Sequence, residues 1–210
     1  MRLACTGVIL AGGGATRFGG RAKGLEYVGG ARIIDRVANA LREASDDLLL
    51  IANDPAAHTW LPGIRLERDV LQGVGSLGGL HAALYHAQTP VLVVAWDMPF
   101  VPGALLARLR ELGEGVDVAL PESGSPRGVE PLCAYYGPAC LAAIERAIAA
   151  GDHRMIGFLD EVRVARLDAA HVSAFGDPEW IFMNINAPED LARAEAHAAT
   201  TAARDHRPQE

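Results

Sequence analysis

Short apolar runs alternate with amphipathic stretches along most of this chain, and that alternation restricts the fold more than any single residue does. Apolar runs of about four to eight residues separated by helix-length segments are the pattern of β-α-β units around a mostly parallel sheet. Strands are predicted at Thr6–Leu10, Leu48–Ala52, Ile64–Leu66, Val91–Trp96, Val116–Leu120, Pro131–Tyr135, Val162–Leu167 and Trp180–Met183. Ile33, Ile34, Val37, Ala38 and Leu41 recur at helical spacing, and further helices are predicted at Leu80–His86, Gly103–Leu112 and Pro138–Ala150. A last helix opens at Ala187-Pro188-Glu189-Asp190, with Pro in the first turn and acids at the positive end of the dipole. Val91–Trp96 is the most apolar run and reads as a central strand buried on both faces. Its pairing stops at Asp97-Met98-Pro99, because Pro has no amide to donate. The expected architecture is a single three-layer α/β/α domain over residues 1–199, followed by a frayed polar tail at residues 200–210. A chain of 210 residues is enough for one such domain with a core and not comfortably enough for two, and no repeat or linker divides it.

Several function classes are excluded early. With 26 acidic against 19 basic side chains the formal charge is −7, and there is no basic tail, which argues against nucleic acid as a partner. The apolar runs fall well short of the roughly 20 residues that span a membrane. The apolar stretch after Arg2 runs straight into a loop carrying Arg17 and Arg21 without a cleavage site, so it does not read as a signal peptide. Cys5, Cys133 and Cys140 form no C-x-x-C pair and read as reduced thiols of a cytoplasmic protein.

The basic residues are unevenly divided: 18 are Arg and one is Lys, Lys23. Compositional bias explains why Lys is scarce but not where the survivor stands. Lys23 lies in the loop after the first strand, Ala11–Gly24, which carries six glycines, the cations Arg17, Arg21 and Lys23, and no acid. Glycines let backbone amides close on an anion, so this loop reads as a phosphate cradle, the alternative being a surface loop that happens to be cationic. It is not a Walker loop, since Gly24-Leu25 follows the lysine, nor a dinucleotide fingerprint, since Arg17 occupies the third glycine position. Gly73, Gly75 and Gly78 match G-x-G-x-x-G formally, but no convincing strand precedes them. The histidines show no zinc-motif spacing, and no serine lies in a hydrolase elbow.

Leu10–Leu25, read as Leu-Ala-Gly-Gly-x-x-x-Arg-x-Gly-Gly-x-x-Lys-Gly-Leu, resembles the signature of the molybdenum cofactor guanylyltransferase family. The resemblance continues through Ala52-Asn53, Arg68-Asp69, Gly75–Leu80, Asp97–Pro102 and Asn184–Leu191, in order along nearly the whole chain. It implies a Rossmann-like sheet of the nucleotidyltransferase type. It also implies an enzyme that moves GMP from GTP to the molybdenum-molybdopterin cofactor with Mg²⁺, among proteins that deliver or receive that cofactor. Carried over by position, Arg17 clamps the triphosphate, Lys23 neutralises the reacting phosphate, and Asp97, at the carboxyl edge of the most buried strand, holds the metal. Leu10, Ala11, Gly12, Gly13, Asn53 and Asp69 join Lys23 and Asp97 in binding the nucleotide. One of Asn184 and Asn186 is expected to cap the last helix while the other reaches the acceptor or the metal's water shell, and His153 falls where the family has an acceptor-contacting basic stretch. Three places depart from the family: Ala22 stands where Asp is usual, Gly75-Ser76-Leu77-Gly78-Gly79 replaces Gly-Pro-Leu-Ala-Gly, and Trp96 stands where Cys is usual. Leu-Ala-Gly-Gly rather than Leu-Ala-Ala-Gly favours the guanylyl branch. The other readings are a cytidylyl or uridylyl transferase with another phosphorylated acceptor, and a non-catalytic cofactor-binding module.

Overall fold

A computed structural model describes residues 4–12 and 22–205. Its main strands are β1 (Thr6–Ala11), β4 (Asp47–Ala52), β5 (Arg65–Glu67), β6 (Val91–Ala95), β7 (Val118–Pro121), β8 (Cys133–Tyr136) and β9 (Val164–Leu167). They form one sheet in the order β5-β4-β1-β6-β8-β7-β9. Pairing is parallel throughout except at β8, which is antiparallel to both β6 and β7. The mostly parallel α/β sheet expected from the sequence is therefore present.

Side-chain alternation divides the core between the two faces of the sheet. Val8 and Leu10 of β1, with Leu49 and Ile51 of β4, pack under α2 (Ser76–Ala87) and α4 (Cys140–Ala149), which bury Leu77, Leu80, Leu84, Ala143 and Ile144. Ile9, Leu48, Leu50 and Leu92 face the other way, toward α1 (Ile33–Ala44) and α3 (Gly103–Gly113). On α1 the stripe Ile34, Val37, Ala38, Leu41 is the i, i+3, i+4, i+7 face read from the sequence. Ile34, Val37 and Leu41, fully buried, each contribute roughly 1.5–3 kcal/mol relative to exposure.

A smaller third cluster of Val28, Ile33, Met183, Ile185 and Ala194 joins a hairpin to the last helix. The hairpin strands, β2 (Tyr27–Val28) and β3 (Ala31–Arg32), are antiparallel and joined by Gly29-Gly30 at φ +58° and +79°. Two consecutive positive φ values are what a tight two-residue hairpin turn demands. The hairpin packs against α7 (Pro188–Asp205), and the cluster closes the chain between the loop that carries Lys23 and the segment that carries Asn184 and Asn186.

Two sequence expectations are corrected. Trp180–Met183 is not a strand: Pro178–Ile181 forms a short helix, α6, preceded by α5 (Ala169–Ser173). Asp177 accepts a hydrogen bond from Glu179 N and Pro178 stands at the first helical position, a start signal that outweighs the apolar run behind it. The second correction is at the carboxyl end, where α7 continues to Asp205, past the expected boundary at Thr200. Its alanines are good helix formers despite the polar look of the segment.

Candidate functional site

The chain leaves β1, moves outward through β4 and β5, and returns to β6 on the opposite side of β1. The connections after β1 and β6 therefore diverge. Such a switch point at the carboxyl ends of the strands is where open α/β sheets form a ligand crevice. A cavity of about 510 Å³ lies there. Leu10, Ala11 and Gly12 line it from the end of β1, Asn53 from β4, Trp96 and Asp97 from β6, and Lys23, Asp69, Asn184 and Asn186 from the surrounding loops. Gly75, Ser76 and Gly79 bring the amino end of α2 to the same space, so its free amides and the positive end of its dipole face the cavity.

Lys23 opens a single 3-10 turn, Lys23–Leu25. Its Nζ forms an ion pair with Asp97 Oδ2 and donates to Asn186 Oδ1 at 3.0 Å. Asp97 is buried, and its Oδ1 has no hydrogen-bond partner among the described residues. Ile185 N donates to the Asp97 carbonyl at 3.0 Å, tying the Asn184–Asn186 segment to the end of β6. Across the cavity Asn53 and Asp69 bind each other reciprocally: Asn53 Nδ2 donates to Asp69 Oδ2 at 2.7 Å and Asp69 N donates to Asn53 Oδ1 at 3.0 Å. That bond pattern links the ends of β4 and β5 and leaves one face of each side chain toward the cavity.

Neither Asn184 nor Asn186 caps α7. Asp190 does so, its Oδ2 accepting from Asn186 N and Ala187 N at 2.9 Å each, in the manner of an acid at the third helical position reaching back. Asn184 Nδ2 donates to the Phe182 carbonyl, which leaves Asn186 as the amide that reaches Lys23. His153 is exposed and is not among the residues lining the cavity. Arg17 and Gly13, with the rest of 13–21, lie outside the described residues.

Lys23 is positioned from below by two tryptophans. Trp96 stacks on Trp60 with ring centroids 5.0 Å apart and 20° between planes. Gly24 rests on the Trp96 indole so closely that an added Cβ would stand 2.3 Å from Cε3. A side chain there must lift the turn or displace the ring. Gly24→Ala is expected to cost about 1–3 kcal/mol through overpacking. A thermal midpoint lower by several degrees and a drop in kcat, as Nζ leaves Asp97, are the readouts; a variant matching the wild type in both removes Trp96 from the positioning of Lys23.

Glu130, a buried acid beside this site, was missed by the sequence reading. Burial pushes its carboxyl up from the ordinary range, the Asp97 charge adds to the rise, and the Leu132 amide and Arg127 oppose it. The only advance signal was an acid set directly before the apolar run that begins at Pro131. A larger cavity of about 700 Å³ lies at the opposite ends of the central strands, near Cys5 before β1, Pro90 before β6 and Tyr135 of β8. It holds none of the motif residues, and Arg163 and Arg110 beside it are engaged with Asp117 and Asp46. The three cysteines are buried and form no disulfide among the described residues, and burial raises the Cys140 thiol to about 12, so they offer no ready nucleophile.

The family model of the MobA-like NTP transferase domain matches residues 7–167. The chain belongs to that family. It is a nucleotidyltransferase. It is 39% identical over 93% of its length to the probable molybdenum cofactor guanylyltransferase of Pelotomaculum thermopropionicum, covering 94% of that protein. It is 35% identical to the molybdenum cofactor guanylyltransferase of Desulfosudis oleivorans over 92% of this chain and 95% of the relative. Among solved structures, the molybdopterin-guanine dinucleotide biosynthesis protein A of Archaeoglobus fulgidus superposes with a TM-score of 0.78 at 30% identity, over 93% of this chain and 99% of that one. Among the described residues no helix is long and apolar enough to cross a membrane.

Proposed function

We propose that this nucleotidyltransferase transfers GMP from GTP to the molybdenum-molybdopterin cofactor, forming the guanine dinucleotide cofactor and pyrophosphate in the cytoplasm. The observation that carries the proposal is the convergence of the chain's single lysine, Lys23, on Asp97 and Asn186 inside the switch-point cavity. The relatives' names supply the substrate class.

In this reaction an acceptor phosphate oxygen attacks the α-phosphorus of GTP, a P–O bond forms, and the bond to the β-phosphate breaks with pyrophosphate leaving. A phosphate monoester is already anionic near neutral pH, so the site needs alignment and charge neutralisation more than a strong base. Among the described residues no histidine lines the cavity. Lys23 supplies a compact positive charge at the reacting phosphate, and the amino end of α2 supplies amides for the remaining phosphate oxygens. Asn53 and Asp69, locked to each other, present fixed polar edges to the nucleotide.

Mg²⁺ fits the residues present. Asp97 Oδ1 is buried and unpartnered among the described residues, with the Asn186 amide close by on the shared lysine. No group of three or more His, Cys, Asp or Glu able to hold a metal occurs among the described residues. Asp97 with the Asn186 amide would hold the ion and leave its other positions to phosphates and water, as Mg²⁺ prefers. When bound, the ion neutralises charge on the phosphate oxygens and on the departing pyrophosphate.

The proposal is tested by pyrophosphate release with GTP, CTP, UTP and ATP in turn, each with molybdopterin and Mg²⁺. GTP is expected to lead on the order of 10⁴-fold, the discrimination of a site that hydrogen-bonds the base. A lead for CTP would assign the chain to the cytidylyl branch instead.

A further inference from the structure

Glu130 is a buried carboxylate to which the reaction above gives no task. The residue is 7% exposed, and an acid at that depth persists where something compensates its charge. Its Oε1 accepts from Leu132 N at 3.1 Å, while Oε2 takes no hydrogen bond among the described residues. Glu130 stands at the entrance to β8, and Ala95 N donates to the Leu132 carbonyl at 2.9 Å. This segment therefore lies along the end of β6 from which Asp97 emerges. The antiparallel register that sets Val94 opposite Cys133 carries Glu130 toward Asp97.

Asp97 is enclosed to the same degree, 7% exposed, with Lys23 on Oδ2 and, among the described residues, no hydrogen bond on Oδ1. The two carboxylates are close enough for the Asp97 charge to act on Glu130. Among the described residues the balancing groups are the Lys23 ammonium, bound to Asp97, and the Arg127 guanidinium, an exposed group acting on Glu130 from a distance. Exposed charge is weakened by solvent, whereas charges held in the interior act on each other with little screening. Among the described residues the end of β6 thus carries more negative than positive charge, with one buried carboxylate oxygen that takes no hydrogen bond there.

We propose that Glu130 is a positioning residue for the cation site: its carboxylate, fixed by the Leu132 amide, supplies the second negative charge that lets Asp97 hold a divalent cation before the nucleotide arrives. The inference rests on the reading of Asp97 as the metal ligand, and adds to it a binding order, metal first on the free protein. Outer-shell groups of this kind change metal affinity by about 10- to 100-fold when removed.

Mn²⁺ titrated into nucleotide-free protein, with free ion read by electron paramagnetic resonance, tests it without turnover. The wild type is expected to bind Mn²⁺, Asp97→Asn to lose that binding, and Glu130→Gln to weaken it about 10-fold. Gln keeps the acceptor for Leu132 N and removes only the charge. Glu130→Met, similar in volume and also uncharged, is expected to show the same loss, and Glu130→Asp to recover part of it. The thermal midpoints of the Gln and Met variants are expected at or above wild type, because a buried charge is gone, so a purely structural role would not produce this pattern. Wild-type Mn²⁺ affinity in folded Glu130→Gln or Glu130→Met overturns the inference while leaving Asp97 as the ligand. Absence of Mn²⁺ binding by the wild type, with and without GTP, overturns the metal reading as well.

Discussion

Replacing Lys23 with Arg is expected to lower kcat for nucleotidyl transfer by on the order of 10²-fold or more, the usual loss when an electrostatic contact to a transition state is removed from an enclosed site. The substitution keeps the charge, so a site needing only positive potential would tolerate it. The observed geometry does not: the Lys23 side chain is 15% exposed and its ammonium fits between Asp97 Oδ2 and Asn186 Oδ1. A guanidinium is broader, planar and directional, and beneath it the turn is fixed on the Trp96 indole through Gly24. The loss should fall mainly on kcat, with KM for GTP changed much less, since the contact strengthens as charge develops. Steady-state kinetics of Lys23→Arg check this. Near-normal kcat would return the lone lysine to an accident of an arginine-rich composition.

Asp97→Asn is expected to cost at least as much, again on the order of 10²-fold or more in kcat, and to abolish the dependence of the rate on Mg²⁺. The amide cannot carry the charge that Oδ1 and Oδ2 present, and Lys23 loses its counter-ion. Because Lys23 and Asp97 touch, their effects should not add: Lys23→Ala combined with Asp97→Asn is expected to fall close to the worse single variant. Rate against Mg²⁺ concentration for the two singles and the double measures both points. Full additivity would mean that the two residues act at separate places. If both singles bound GTP and Mg²⁺ like the wild type, and the wild type itself turned nothing over, the chain would be a cofactor-binding module.

Much of the layer structure was legible in the sequence because it depends on periodicity. Val8, Ile9 and Leu10 alternate between two buried faces, and Ile34, Val37, Ala38 and Leu41 repeat at the helical period. What failed were places where local chemistry overrides hydrophobicity. Trp180–Met183 looks like a strand, yet Asp177-Pro178 starts a helix there. Gly29-Gly30 codes for a hairpin whose strands have two residues each, too short to show a period.

In the site, Lys23 and Asp97 could be singled out because each has a sequence context, a glycine loop and the end of an apolar strand. Their union with Asn186 spans 163 residues from lysine to amide and depends on the third core cluster, which no local pattern announces. Glu130 was invisible for a related reason. Its burial beside Asp97 follows from β8 running against β6, and an antiparallel neighbour cannot be read from the β-α-β rhythm that identified the rest.

The substrate pairing itself is tested most directly by incubating the protein with GTP, Mg²⁺ and isolated molybdopterin and detecting the product by mass. The expected result is molybdopterin carrying one added GMP, formed together with pyrophosphate, and absent in Lys23→Ala. Molybdopterin recovered unchanged, or carrying CMP in preference to GMP when both nucleotides are supplied, would contradict it.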